Sequence, residues 1–149
     1  LLTGQTRQTD NTTATVAFST ELTEELSSLG HHQTIVFDRI ITNVRDGYNK
    51  LNGIFTVPVS GTYTFTWMTQ NQEGTYMVSE LVVNNNQMGR IVSDAVGGER
   101  ESSTTGIVVV RVWEDDLVWI RTNNPLGDHE VQLSSYYPST FSGWLLFES

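Results

Sequence analysis

The chain has 149 residues, 38% of them hydrophobic, with four Trp, five Tyr and six Phe, and 17 acidic against 8 basic residues for a formal charge of −9. One domain of this length buries roughly 70% of the surface its unfolded form exposes, and its acidity repels phosphate backbones and anionic headgroups, which excludes nucleic acid and membrane surfaces as default partners. With no Cys, disulfides, thiolate metal sites and cysteine nucleophiles are excluded, and no apolar run reaches the ~20 residues of a spanning helix, so membrane insertion is not expected.

Residues 1–13 are polar, Thr-rich and aperiodic, which predicts a flexible arm ahead of one domain over 14–149. The chain opens Leu-Leu-Thr rather than with Met and is read as a mature or trimmed form. Asn11-Thr12-Thr13 is a glycosylation acceptor triplet, with Asn11 the candidate site. No run of Gly-x-y triplets is present, so these residues carry no collagen-like stalk.

From residue 14 the pattern is β: short runs of Val, Ile, Thr and aromatics lie between Gly, Asn, Asp and Pro clusters. Strands are expected near 14–19, 35–38, 54–58, 61–69, 75–84, 87–93, 104–113, 117–123, 130–136 and 142–148. Leu22, Leu26 and Leu29 have helical spacing and suggest a loop with a helical tendency, ended by Gly30. In the strand from Thr62 to Trp67 every second residue is aromatic and the others are Thr. Side chains alternate across a strand, so the aromatics enter the core and the threonines are expected to face water. Gly61, where the chain enters that strand, is expected to need a φ that a side chain resists.

The strand from Ile107 to Trp113 breaks that rule. Val108, Val110 and Val112 lie on one face, while Ile107, Val109 and Trp113 lie on the other, interrupted only by Arg111. Read as its hairpin partner across Glu114-Asp115-Asp116, the run Leu117-Val118-Trp119-Ile120 is also apolar on both faces. An antiparallel sandwich keeps one face polar, so the second apolar face implies association with another subunit. Val109, Trp113, Val118, Trp119 and Ile120 are the interface candidates.

The spacing of Phe37, Asn43, Tyr48, Phe55, Gly61, Tyr63 and Phe65 resembles the signature of the C1q globular domain, with Trp67 where the family has Phe or Tyr. Flanking segments agree: Val16 to Ser19, Asn52 to Gly61, and Ser139 to Phe147 resemble the family's first, core-entry and closing strands. The resemblance covers 14–149 and implies an all-β, antiparallel, ten-stranded jelly-roll sandwich of the C1q and tumour-necrosis-factor type. It also implies a secreted homotrimer built about an apolar axis, most similar in style to stand-alone invertebrate C1q-domain proteins. The implied role is multivalent, lectin-like pattern recognition in innate immunity. Alternatives are a cytokine- or hormone-like receptor ligand and a matrix or mineral-associated structural protein.

Many C1q-type heads hold calcium through acidic loop residues, so the resemblance makes calcium a candidate, though not a required cofactor. Asp94 falls at one family position, Ser102 replaces the second, and Glu99 and Glu101 lie beside it. The loop with Asn123, Asn124, Asp128 and His129, followed by Tyr136 and Tyr137, mixes amides, a carboxylate, an imidazole and rings. That set grips hydroxyls and stacks on sugar faces, so these six residues are the glycan-binding candidates. Polysaccharide, lipopolysaccharide or a sialylated glycan is the expected partner. An anionic one would need calcium or a patch of Arg90, Arg100 and Arg121 to offset the negative charge. His31-His32 reads as a surface pair, and neighbours on a strand point apart, so Asp128-His129-Glu130 is no relay. Catalysis is not expected.

Overall fold

A computed structural model describes residues 14–124, 133, 134 and 136–149. The arm at 1–13, with Asn11, and most of the strand expected at 130–136, with Asp128 and His129, lie outside the described residues. Ten strands form: β1 Ala17–Glu21, β2 Arg39–Val44, β3 Tyr48–Asn49, β4 Ile54–Thr56, β5 Gly61–Asn71, β6 Tyr76–Val83, β7 Asn86–Asp94, β8 Ser102–Val112, β9 Leu117–Thr122 and β10 Thr140–Glu148. They build two antiparallel five-stranded sheets, one in the order β2-β1-β10-β5-β8 and the other β3-β4-β9-β6-β7. This is the expected jelly-roll sandwich.

The sheets meet over an aromatic core. Phe18 stacks on Phe55 at 4.4 Å between ring centroids, and Tyr63 stacks on Phe65 at 5.7 Å. Tyr48 donates its hydroxyl to the Phe37 carbonyl at 2.7 Å, and burial pushes its pKa up to about 12. Trp67 crosses between the sheets: it sits on β5 of the first and donates its indole N–H to Ser79 Oγ on β6 of the second at 3.0 Å. Gly106 makes room for it, because a Cβ there would stand 2.6 Å from the indole ring. Tyr63, Phe65 and Trp67 therefore enter the core as expected, and Phe55 is buried with them.

Several expectations change. Gly61 has no positive φ; what it requires is space, since a Cβ would lie 2.5 Å from the Phe147 carbonyl oxygen. Gly143 is likewise a close approach, with Phe65 and Phe18 ring atoms 2.6 and 2.7 Å from a Cβ position. The segment 35–38 is not a strand of its own, although Thr34 bridges Arg121 and Ile35 donates to the Ile120 carbonyl at 2.9 Å. The strand that follows, β2, was hidden by its exposed, mixed sequence Arg39 to Val44. No helix forms among the described residues, and none is long and apolar enough to cross a membrane. Leu22, Leu26 and Leu29 lie in non-helical chain; Leu22 N–H bonds to the Ser139 carbonyl and Leu26 pairs with Leu133. Long-range backbone partners outweigh the local helical spacing.

The largest correction concerns residues 107–120. β8 pairs with β5 in the first sheet, whereas β9 pairs with β4 and β6 in the second. The connection at Glu114-Asp115-Asp116 is a crossover between sheets, not a hairpin. Asp116 holds it, accepting the Trp113 N–H at 2.8 Å and the Asn84 amide at 2.8 Å.

Candidate functional site: an apolar sheet face and an acidic cleft

Once β8 and β9 are assigned to different sheets, their apolar faces part company. In β9, Val118 and Ile120 are wholly buried in the core of this chain. Neither is available to a second subunit, and Trp119, half-buried, lies on the second sheet away from β8. Two of the five interface candidates remain on the first sheet's side: Val109 is 60% exposed, and Trp113, just past β8, is 58% exposed beneath the Arg111 guanidinium at 4.0 Å.

Register shows what accompanies them. One row across the outer face of the first sheet runs Val44, Ala17, Trp144, Thr64, Val109. The adjacent row runs Thr42, Ser19, Ser142, Thr66, Ile107, and a third carries Phe147, Thr62 and Arg111. Ile107, Phe147, Val44 and Trp144 are all exposed. The threonine side of β5 is thus not the wet face its sequence suggests: Thr64 is only 4% exposed, set between Trp144 and Val109. What the sequence pattern does not show is the bulge between Leu145 and Phe147. It lets Leu145 pack against the core while Trp144 and Phe147 both point outward.

The remaining candidates separate. Asn123 donates its amide to Glu80 Oε2 at 3.1 Å, and Asn124 accepts the Val78 N–H at 2.8 Å while donating to the Tyr76 carbonyl at 3.1 Å. Both amides hold the loop to β6 rather than facing a ligand. Glu80 is itself buried, 1% exposed, and gathers Arg121 at 2.7 Å, Arg90 at 3.0 Å and His32 at 3.8 Å. Arg90 and Arg121 are therefore committed to one carboxylate and form no anion-binding patch with Arg100. His31 and His32 are exposed and stack at 3.9 Å.

Asp94 turns its carboxylate onto the Val96 N–H at 2.9 Å, and Glu101 accepts the Gln70 amide at 3.0 Å. No group of three acidic or imidazole side chains that could hold a metal forms among the described residues. Asp94, Glu99 and Glu101 do not fit a calcium site as placed. Instead Glu99 and Glu101 line a cleft of about 640 Å³ with Tyr136 and Tyr137, Gln70, Gln72 and Arg100.

The family model of the C1q domain matches residues 17–146. The chain belongs to the C1q domain family. Among relatives of this C1q domain, human complement C1q tumor necrosis factor-related protein 3 is 30% identical over 137 residues, covering 90% of this chain and 52% of that protein. Human complement C1q tumor necrosis factor-related protein 5 is 27% identical over 132 residues, covering 88% of this chain and 53% of that protein. The chain thus spans about half the length of these relatives. The globular domain of zebrafish complement 1qA protein superposes with a TM-score of 0.71 at 19% identity, over 90% of this chain and 99% of that one. Murine APRIL superposes at 0.67 with 11% identity, over 89% and 100%. These likenesses define the C1q and tumour-necrosis-factor jelly roll.

Proposed function

We propose that this C1q domain is a secreted, self-associating recognition head, a homotrimer that binds glycans multivalently rather than catalysing a reaction. The observation that carries the reading is the outer face of the first sheet. Val44, Trp144, Val109, Ile107 and Phe147 come together there from three strands, and among the described residues no element covers them. A face of this kind on a domain that is otherwise acidic is stabilised by burial against its own copies. Closed rotational symmetry would place equivalent loops of every copy at the same end. Three weak sites linked rigidly gain roughly 10²–10⁴ in avidity without a new contact.

Sedimentation equilibrium of the domain, followed by a glycan array with and without chelator, tests both halves. A trimer that binds an array glycan supports the reading. A folded monomer at working concentration refutes it, as does a trimer that ignores every glycan. High affinity for one cell-surface protein would instead favour the receptor-ligand alternative.

A further inference from the structure

The segment from Gly30 to Ile35 is strapped along β9, and its two ends are fastened by different physics. At the inner end the Ile35 N–H bonds to the Ile120 carbonyl at 2.9 Å, with both side chains wholly buried in the core. At the outer end the fastening is polar and converges on Thr122, the buried last residue of β9. Thr122 accepts the His32 N–H on its carbonyl at 3.0 Å and gives its own N–H to the Gln33 carbonyl at 3.0 Å. Its hydroxyl accepts the Gln33 N–H at 3.0 Å and donates to the Gly30 carbonyl. The Gly30 N–H closes the turn on Gln33 Oε1 at 2.8 Å. His32 itself is held at a φ of 53°, a left-handed conformation that a residue with a side chain adopts at a cost.

The His32 ring stands over the Glu80 cluster. Its Nε2 lies 3.8 Å from Glu80 Oε1, and the His31 ring stacks on it at 3.9 Å. The charged and titratable groups facing it are Glu80 on β6, Arg90 on β7, Arg121 on β9 and His31 on its own strap. The one carboxylate is already taken. Its Oε1 accepts Arg121 Nε at 2.7 Å, while Oε2 accepts Arg90 Nη2 at 3.0 Å and the Asn123 amide at 3.1 Å. Two guanidiniums against one carboxylate leave surplus positive charge beside the imidazole, so a proton on His32 meets repulsion there.

We infer that this corner is an acid-sensitive latch: protonating His32 frees residues 30–33 from the end of β9, while the bond from Ile35 to Ile120 keeps the inner end in place. Desolvation of the half-exposed ring, then Arg121 and His31, lower the His32 pKa from its ordinary 6.5, against the pull of Glu80 and with a further push from Arg90. The opened turn takes up its proton at the ordinary value and the closed turn only below it. The closed strap is therefore fully favoured above 6.5 and loses ground as pH falls through that value. Glu80 is still ionised in this range, because hydrogen bonds from Arg121, Asn123 and Arg90 outweigh the upward push of burial and hold it below 4.5. The latch is independent of what the domain binds.

Amide exchange followed by nuclear magnetic resonance tests the inference. Between about pH 7.5 and about pH 5, protection of the His32, Gln33 and Thr122 amides, corrected for intrinsic exchange, should fall at least about twofold. The Ile35 amide should keep its protection. The loss should follow protonation of the His32 ring, read from its carbon-bound proton shifts in the same samples. His32→Asn keeps a residue that tolerates the left-handed turn and should remove the pH dependence. Unchanged protection, a loss shared equally by Ile35, a midpoint that departs from that of the His32 ring, or a dependence that survives in His32→Asn overturns the inference.

Discussion

Val109→Glu separates association from folding. Val109 stands at the end of the row Val44, Ala17, Trp144, Thr64 and points away from the core. At 60% exposure in the single chain, it still has roughly 1–2 kcal/mol of its apolar transfer energy to gain on association. In a threefold assembly that becomes about 3–6 kcal/mol, and at about 1.4 kcal/mol per tenfold its loss alone weakens assembly by roughly 10²–10⁴. A carboxylate in a drying face adds a desolvation cost of several kcal/mol, on the order of what any unpaired buried charge carries. The monomer is spared, since an exposed strand position changes stability by only about 0.5 kcal/mol. Sedimentation velocity should therefore show a folded, single-copy species, with a circular dichroism spectrum matching wild type. A variant that still assembles, with unchanged sedimentation, would show that this face is not where copies meet.

Val118→Glu, nine residues on, should behave in the opposite way. Val118 is fully buried between the sheets, so the variant should lose its near-ultraviolet dichroism outright; a folded protein with altered assembly would contradict the core placement. Gly106→Ala pushes a methyl to 2.6 Å from the Trp67 ring, and the ring is held by Ser79, so urea unfolding should show a loss of about 1–3 kcal/mol. Glu80→Gln strands the buried Arg121 guanidinium and should cost about 3–5 kcal/mol at neutral pH. Burial raises the Glu80 pKa, but hydrogen bonds from Arg121, Asn123 and Arg90 outweigh it and leave it below its ordinary 4.5. A depressed folded pKa contributes stability that is present above the unfolded value and is lost as pH falls through the folded one. The gap in thermal midpoint between wild type and Glu80→Gln should therefore close as pH drops below 4.5; a constant gap down to acid unfolding would refute the role given to Glu80.

Much of this protein was legible in its residue order. The alternation in Thr62 to Trp67 is local, and it identified a core strand whose aromatics do fill the sandwich. The spaced Phe, Tyr and Gly positions from Phe37 to Trp67 carried the family resemblance, because each occupies a point where the two sheets touch or where a Cβ has no room. Runs such as Ile107 to Val112 announced themselves as apolar on two sides for the same local reason. What no local pattern contains is which strand lies beside which. Pairing is set by hydrogen bonds between residues far apart in sequence, and it sent β8 and β9 to opposite sheets although only four residues part them. That choice buried Val118 and Ile120, left Val109 outside, and set Trp144 and Thr64 next to it. It also brought Tyr136 and Tyr137 to carboxylates from three separate connections. Composition and period decided that the chain would be a β-sandwich with a surplus apolar face; only the long-range register decided which side chains make that face and the cleft, because a strand's neighbours belong to the sheet and not to the sequence around it.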